Sequence, residues 1–355
     1  MMRTRNLFST WVCFPFRLGV SKTVRLSDSL NATNFYADGF ENYGPAGASA
    51  DQKQTPNTPK AVLSFQVDPK NLYYLSYAKG FRVGGGNAPL PSYCNADLAA
   101  AGYPNGAPLT YNSDSTQNYE IGSKNGFGDW LKIATSVYYI KWDQIQQSIY
   151  VAGACGLQFT DNLGTAAAWG GDIQAEAKLG PVDIDLATGY TSARYTKDDP
   201  SGCQQTASSA PCLASNGDAI SGQAAINYAP GVNSPFTTAL GVQYNFRLMK
   251  YDSFVRADWE YEARNHWLAA VQDPNNYAQY NYGYSYTLPS TSFTSMRAGM
   301  NFGEWQLAAF CDNLFDSHTV NNYALGQTDG TVSPQQNAYT FRPRTVGLTF
   351  TMRTH

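Results

Sequence analysis

The chain has 355 residues, a formal net charge of −3 and only 14% charged residues, while 14% are aromatic, including 25 tyrosines; an ordinary soluble protein is roughly 25% charged. This balance gives no case for a nucleic-acid partner, which needs a basic patch. Mean hydropathy is −0.38, and no uninterrupted apolar run approaches the roughly 18 residues of a helical membrane span; a membrane β-strand escapes that test because its apolar residues alternate with polar ones.

Residues 1–22 are left unassigned. Arg3 and Arg5 precede an apolar patch, as in a secretion signal, but Pro15 and Arg17 interrupt it and no small-x-small cleavage site follows. Residues 23–355 read as one β unit. A weak first strand is expected over Thr23 to Tyr36, then a polar loop. Ala61 to Val67 and Leu72 to Phe81 form a hairpin across Asp68-Pro69-Lys70-Asn71, with proline at the second turn position. After a long loop holding Gly84-Gly85-Gly86, expected to be flexible, Thr116 to Lys124 pairs with Trp130 to Trp142. In the latter, Leu131, Ile133, Val137 and Tyr139 share one face, and Lys132, Ala134 and Ser136 the other.

The rhythm continues. Gly164 to Leu179 turns at Gly180-Pro181 into Val182 to Tyr195, and Pro235 to Arg247 turns at Leu248-Met249-Lys250 into Tyr251 to Arg264. This last strand places Val255, Ala257, Trp259 and Tyr261 on one face and Arg256, Asp258, Glu260, Glu262 and Arg264 on the other. So many charges cannot face a dry core. They fit a water-filled lumen, with Trp259 and Tyr261 toward lipid. Ser292 to Phe302 turns into Trp305 to Asp312, and from Arg344 onward Val346, Leu348, Phe350 and Met352 alternate with small polar residues. The expectation is therefore an all-β, transmembrane antiparallel β-barrel of about eleven or twelve strands, with short turns and long loops in strict alternation. Soluble propellers and sandwiches lack that alternation of loop length.

Six cysteines admit disulfides in an oxidising compartment. Cys203 and Cys212 share one loop, and Cys94 and Cys155 lie in successive long loops on one side of the membrane; Cys13 and Cys311 look unpaired. Sequence does not fix the connectivity, and free buried thiols are the alternative.

Four strings in order resemble the C-terminal half of the barrel of TonB-dependent outer-membrane receptors. Tyr73 to Asn87 (YYLSYAKGFRVGGGN) is similar to that family's Y-x-S-x-S-K-G-F-R-x-G-G, and Asn118 to Lys124 (NYEIGSK) to its E-x-Y-E-x-G-x-K. Asn313, Leu314, Phe315 and Asp316 resemble its N-L-F-D, and FRPRTVGLTFTM its closing strand. The resemblance implies half of a 22-stranded wall around a plug, in the outer membrane of a Gram-negative bacterium. It implies uptake of a scarce small ligand, such as an iron siderophore, driven by TonB. Lipid and the barrel-assembly machinery are the further partners implied. The sequence departs from the pattern: it shows no sign of the plug or TonB box and ends at Met352-Arg353-Thr354-His355 rather than on an aromatic residue. A truncated or split receptor is therefore expected, with TonB reached only through a plug.

No catalytic constellation is legible. The three histidines, His266, His318 and His355, form no metal or nucleophile motif, and no cofactor is expected. Asp258, Glu260 and Glu262 read as solvated lining rather than a catalytic pair. Tyr277, Tyr280, Tyr282, Tyr284 and Tyr286 offer rings for ligand stacking, or an ordinary interface girdle. The rival readings are a secreted soluble all-β carbohydrate-binding protein and an autonomous porin-like channel.

Overall fold

The computed structural model describes residues 24–26, 52–54, 57–151, 154–162, 164–197, 234–267, 288–326 and 335–352. Eleven strands form one antiparallel sheet in chain order: β1 (Lys60–Asp68), β2 (Asn71–Arg82), β3 (Asp114–Phe127), β4 (Leu131–Asp143), β5 (Thr165–Leu179), β6 (Val182–Tyr195), β7 (Phe236–Leu248), β8 (Tyr251–Glu262), β9 (Thr291–Phe302), β10 (Trp305–Asp312) and β11 (Thr345–Met352). Among the described residues β1 pairs only with β2 and β11 only with β10. The sheet is thus an open wall, a partial barrel.

Short turns join β1 to β2, β3 to β4, β5 to β6, β7 to β8 and β9 to β10, so every long connection leaves the opposite edge. In the first turn the Asp68 carboxylate accepts from the Lys70 N–H at 2.8 Å and from Asn71 Nδ2 at 2.7 Å, an Asx turn that fixes the reversal. Lys70 then reaches the next turn, pairing with Asp129 at 2.6 Å. Gly128, Gly180, Gly303 and, at its own turn, Met249 take positive φ, which the twist of tight hairpins requires.

The register sorts side chains into two faces. Leu63, Leu75, Ile121 and Val137 are successive cross-strand neighbours on one face, and they are 51%, 54%, 60% and 61% exposed. In water that row alone would be a costly patch. The other face carries Glu176, Asp185, Gly241 and Asp258 in a row across β5 to β8.

The polar face has a recurring device. Tyr74 lies across Gly122, Tyr138 across Gly170, Phe254 across Gly299 and Phe310 across Gly347, each a directly opposed pair on neighbouring strands. Arg256 leans over Gly241 in the same way. Without a Cβ beneath it, a bulky side chain lies flat on the wall instead of projecting from it.

Several strand limits differ from the sequence reading. β3 runs on to Phe127 and Trp130 sits in the turn, because the hairpin closes on the positive-φ Gly128. β8 ends at Glu262, so Arg264 lies past it. Of the expected strand Thr23–Tyr36, only Val24–Leu26 is described, paired with Gln52–Gln54. The stretch at Gly84-Gly85-Gly86 is not a flexible loop: Gly85 and Gly86 pair with Tyr111 and Thr110.

Candidate functional site: a polar wall beneath a cross-linked loop cap

The first two long loops fold into one body. A 3-10 turn (Ser92–Cys94), a helix (Asn95–Ala100) and a ribbon of Gln146–Tyr150 with Gln158–Asn162 bury Cys94, Leu98, Ile149, Val151, Cys155 and Phe159. This is the apolar core found among the described residues, and it lies in the loops rather than the wall. The structure joins Cys94 to Cys155 in a disulfide, with Cα atoms 4.6 Å apart. Asn87 donates to the carbonyls of Pro108 at 2.8 Å and Thr160 at 2.7 Å and accepts from the Thr160 N–H at 2.9 Å. The Tyr103 ring meets Phe159 edge-on at 4.8 Å. Cys203, Cys212, Cys13 and Tyr277 through Tyr286 lie outside the described residues; Cys311 is a free thiol.

At the base of the cap, buried Asp114 gathers five donors, one of them the Arg82 backbone N–H at 3.3 Å. Arg82 grips it with Nη2 and with Nε at 2.9 Å, Trp142 Nε1 donates at 3.0 Å and the Gln146 N–H at 3.3 Å. The Arg82 guanidinium also stands over the Trp142 ring, 5.1 Å from its centroid. Asp114 itself gave no sequence signal, since its partners are 28 to 32 residues away; Arg82, inside a recognised string, was the available clue.

On β8 the charged residues share the polar face. Arg256 Nη1 meets Asp185 at 3.0 Å and Nη2 meets Asp258 at 2.7 Å, tying β6 to β8 across β7. Lys132 stands 3.6 Å from Glu176. The Arg256 pairs are a third to a half exposed and the Lys132–Glu176 pair mostly so; each contributes under about 1 kcal/mol, and their effect is to shape the wall's charge. Glu260 and Glu262 continue the row toward the long loops. There Phe293 and Phe341 approach to 5.1 Å and, with Glu260, Glu262, Thr291, Asn321 and Asn322, line a hollow of 390 Å³. The aromatic pair was missed in the sequence because its members sit 48 residues apart, on β9 and in the last long loop.

Asn313 and Asp316 act as a clamp. Asn313, buried at positive φ, donates to the carbonyls of Ser317 at 2.9 Å and Arg342 at 2.8 Å and accepts from the Ser317 N–H at 2.8 Å. The Leu314 N–H caps β9 at the Thr294 carbonyl, at 2.8 Å; Phe315 is exposed. Asp316 accepts from the Arg344 N–H at 3.0 Å. That bond, chiefly, holds its carboxyl below the ordinary carboxylate range, with the charge of His318 adding to it.

A family model described as TonB dependent receptor-like, beta-barrel matches residues 17–314. None of the curated proteins matches. Among solved structures the chain resembles the ferric yersiniabactin uptake receptor FyuA of Yersinia pestis, with TM-score 0.56, 14% identity and 86% of this chain covered. It also resembles the copper transporter OprC (0.56, 15%, 85%) and the siderophore receptor PiuA of Acinetobacter baumannii (0.55, 15%, 86%). At these identities the likeness is one of fold. The chain spans 38%, 40% and 37% of those three proteins.

Proposed function

Because the chain belongs to the TonB-dependent receptor β-barrel family, we propose that it forms the C-terminal half of the wall of a receptor that captures a scarce ligand outside the cell and passes it inward. Its place is the outer membrane of a Gram-negative bacterium. The single observation that carries the reading is the two-faced sheet: an uncovered apolar face that only lipid satisfies, and a polar face of ion pairs suited to a wet lumen. A secreted soluble protein would leave that apolar face against water.

In this reading Arg256, Asp258, Glu260 and Glu262 line the lumen, the cap bearing Cys94 and Cys155 faces outward, and residues 23–355 act as one unit. The ligand is a scarce metal or its carrier, as the names of FyuA (ferric yersiniabactin), PiuA (a siderophore) and OprC (copper) suggest. TonB supplies the energy through a plug, and the barrel-assembly machinery inserts the wall. The family is one of transporters, so no catalytic role is assigned.

The test is uptake by cells with and without the gene, using a panel of 55Fe-labelled siderophores and 64Cu, alongside fractionation of the outer membrane. Loss of one substrate's uptake, with the protein in the outer-membrane fraction, supports the reading. Unchanged uptake across the panel, or recovery of the protein in the soluble fraction, overturns it.

A further inference from the structure

Along the polar face of β8 the pattern of pairing changes. Arg256 and Asp258 are tied together and to Asp185. Glu260 and Glu262, nearer the long loops, are exposed and have no cationic partner among the described residues. Register sets Glu260 directly opposite Phe293 and Glu262 opposite Thr291. The Phe293 and Phe341 rings, tilted by 42°, line the hollow together with Asn321 and Asn322. Its 390 Å³ falls within the range of small-molecule sites. The adjoining hollow, which shares Phe293, Asn321 and Phe341, adds Asp312 and Arg342. Three carboxylates against one guanidinium leave the combined lining acidic.

Aromatic faces attract cations through their quadrupole, and carboxylates beside them add a point attraction. An anionic chelate would meet repulsion at Glu260 and Glu262. A neutral ligand would leave both carboxylates without a partner.

We propose that this hollow binds a small organic cation, an amine, guanidinium or quaternary ammonium group on an apolar body. The charge seats between Glu260 and Glu262 and the body lies on the Phe293–Phe341 pair. The inference rests on the reading that the polar face lines a lumen open toward the long loops, and it concerns this hollow alone, not the ligand that is imported.

The test uses the full chain in outer-membrane vesicles, with benzyltrimethylammonium as probe and phenylacetate and benzyl alcohol as its anionic and neutral counterparts, each followed by equilibrium dialysis. The cation is expected to bind about tenfold tighter than either counterpart, and more weakly as salt rises. The Glu260→Gln, Glu262→Gln double variant is expected to lose about tenfold, and Phe293→Leu about threefold, for the cation alone. Equal binding of all three probes, or undiminished cation binding by the double variant, overturns the proposal. If the variants fail to reach the membrane, the probe comparison and salt dependence on the unaltered chain decide it. If uptake of a metal chelate depends on the protein while the cation shows no preference, this inference alone falls; a soluble protein removes the reading beneath it.

Discussion

The side-chain amide of Asn313 donates to the carbonyl of Arg342 at 2.8 Å, fastening the turn after β10 to the segment that enters β11. Three of its hydrogen bonds are made in a buried site, by a residue at φ 53°. Asn313→Ala therefore loses both the bonds and the asparagine's tolerance of that backbone region, an expected cost of about 2–4 kcal/mol. Asn313→Gly separates the two, because glycine keeps the backbone and drops the bonds. Urea unfolding in micelles checks this: the glycine variant is expected between wild type and alanine, and a glycine variant as stable as wild type would leave the clamp without weight.

The loop cap should outlast its disulfide in part. The Cys94–Cys155 bond closes a loop of 61 residues, which chain entropy values at up to about 4 kcal/mol. Leu98, Ile149, Val151 and Phe159 remain packed without it. A Cys94→Ser, Cys155→Ser variant is expected to reach the outer membrane with its strands intact, while residues 83–113 and 144–164 become cleavable by external protease. Mass spectrometry of the released peptides tells loop opening from global unfolding, which would yield strand peptides as well.

The wall was more legible in the sequence than the cap. The strands repeat every second residue and four of their five short turns carry proline, glycine or asparagine, so local sequence determines both pairing order and face, as β8 shows with Arg256, Asp258, Glu260 and Glu262. Asp114, Asn87 and the Phe293–Phe341 pair depend on contacts between loops far apart in sequence. No periodicity announces such contacts. Gly84-Gly85-Gly86 misled for the same reason: a strand pairing with Thr110 and Tyr111 overrides the freedom of glycine. The N-L-F-D string is legible as a pattern, but its work as a hydrogen-bonded clamp depends on Arg342 and Arg344, far along the chain.

Acid should loosen that clamp. Asp316 has its carboxyl held below the ordinary carboxylate range, first by the Arg344 N–H. A depressed folded-state pKa adds stability that is fully present above the ordinary range and is lost as pH falls through the folded value. Thermal unfolding followed from neutral pH downward should show a declining midpoint across that acid window. Asp316→Asn should start lower and decline less steeply, because the amide oxygen still accepts from Arg344 but no longer titrates. Parallel curves for the two proteins would assign the acid sensitivity elsewhere, with Asp68 and Asp129, both also depressed by their turn partners, as the next groups to change.

Glycines beneath flat-lying side chains should differ in what replaces them. At Gly347 an added Cβ would sit 2.5 and 2.6 Å from the tip of the Phe310 ring, which can swing away over the open polar face. At Gly170 it would sit 2.6 Å from the Tyr138 hydroxyl and also inside contact distance of the Tyr190 carbonyl oxygen. That carbonyl belongs to β6, whose bonding to β5 holds it in place. Gly170→Ala is therefore expected to cost about 1–3 kcal/mol as an overpacking substitution, and Gly347→Ala much less. Gly241→Ala forms a third case: its Cβ would displace the Arg256 guanidinium and so break the tie between Asp185 and Asp258 with little effect on the strands. Unfolding midpoints of the three variants, ordered Gly170 lowest, would support a rigid backbone behind each slot; equal midpoints would mean that the wall relaxes around an added methyl wherever it is placed.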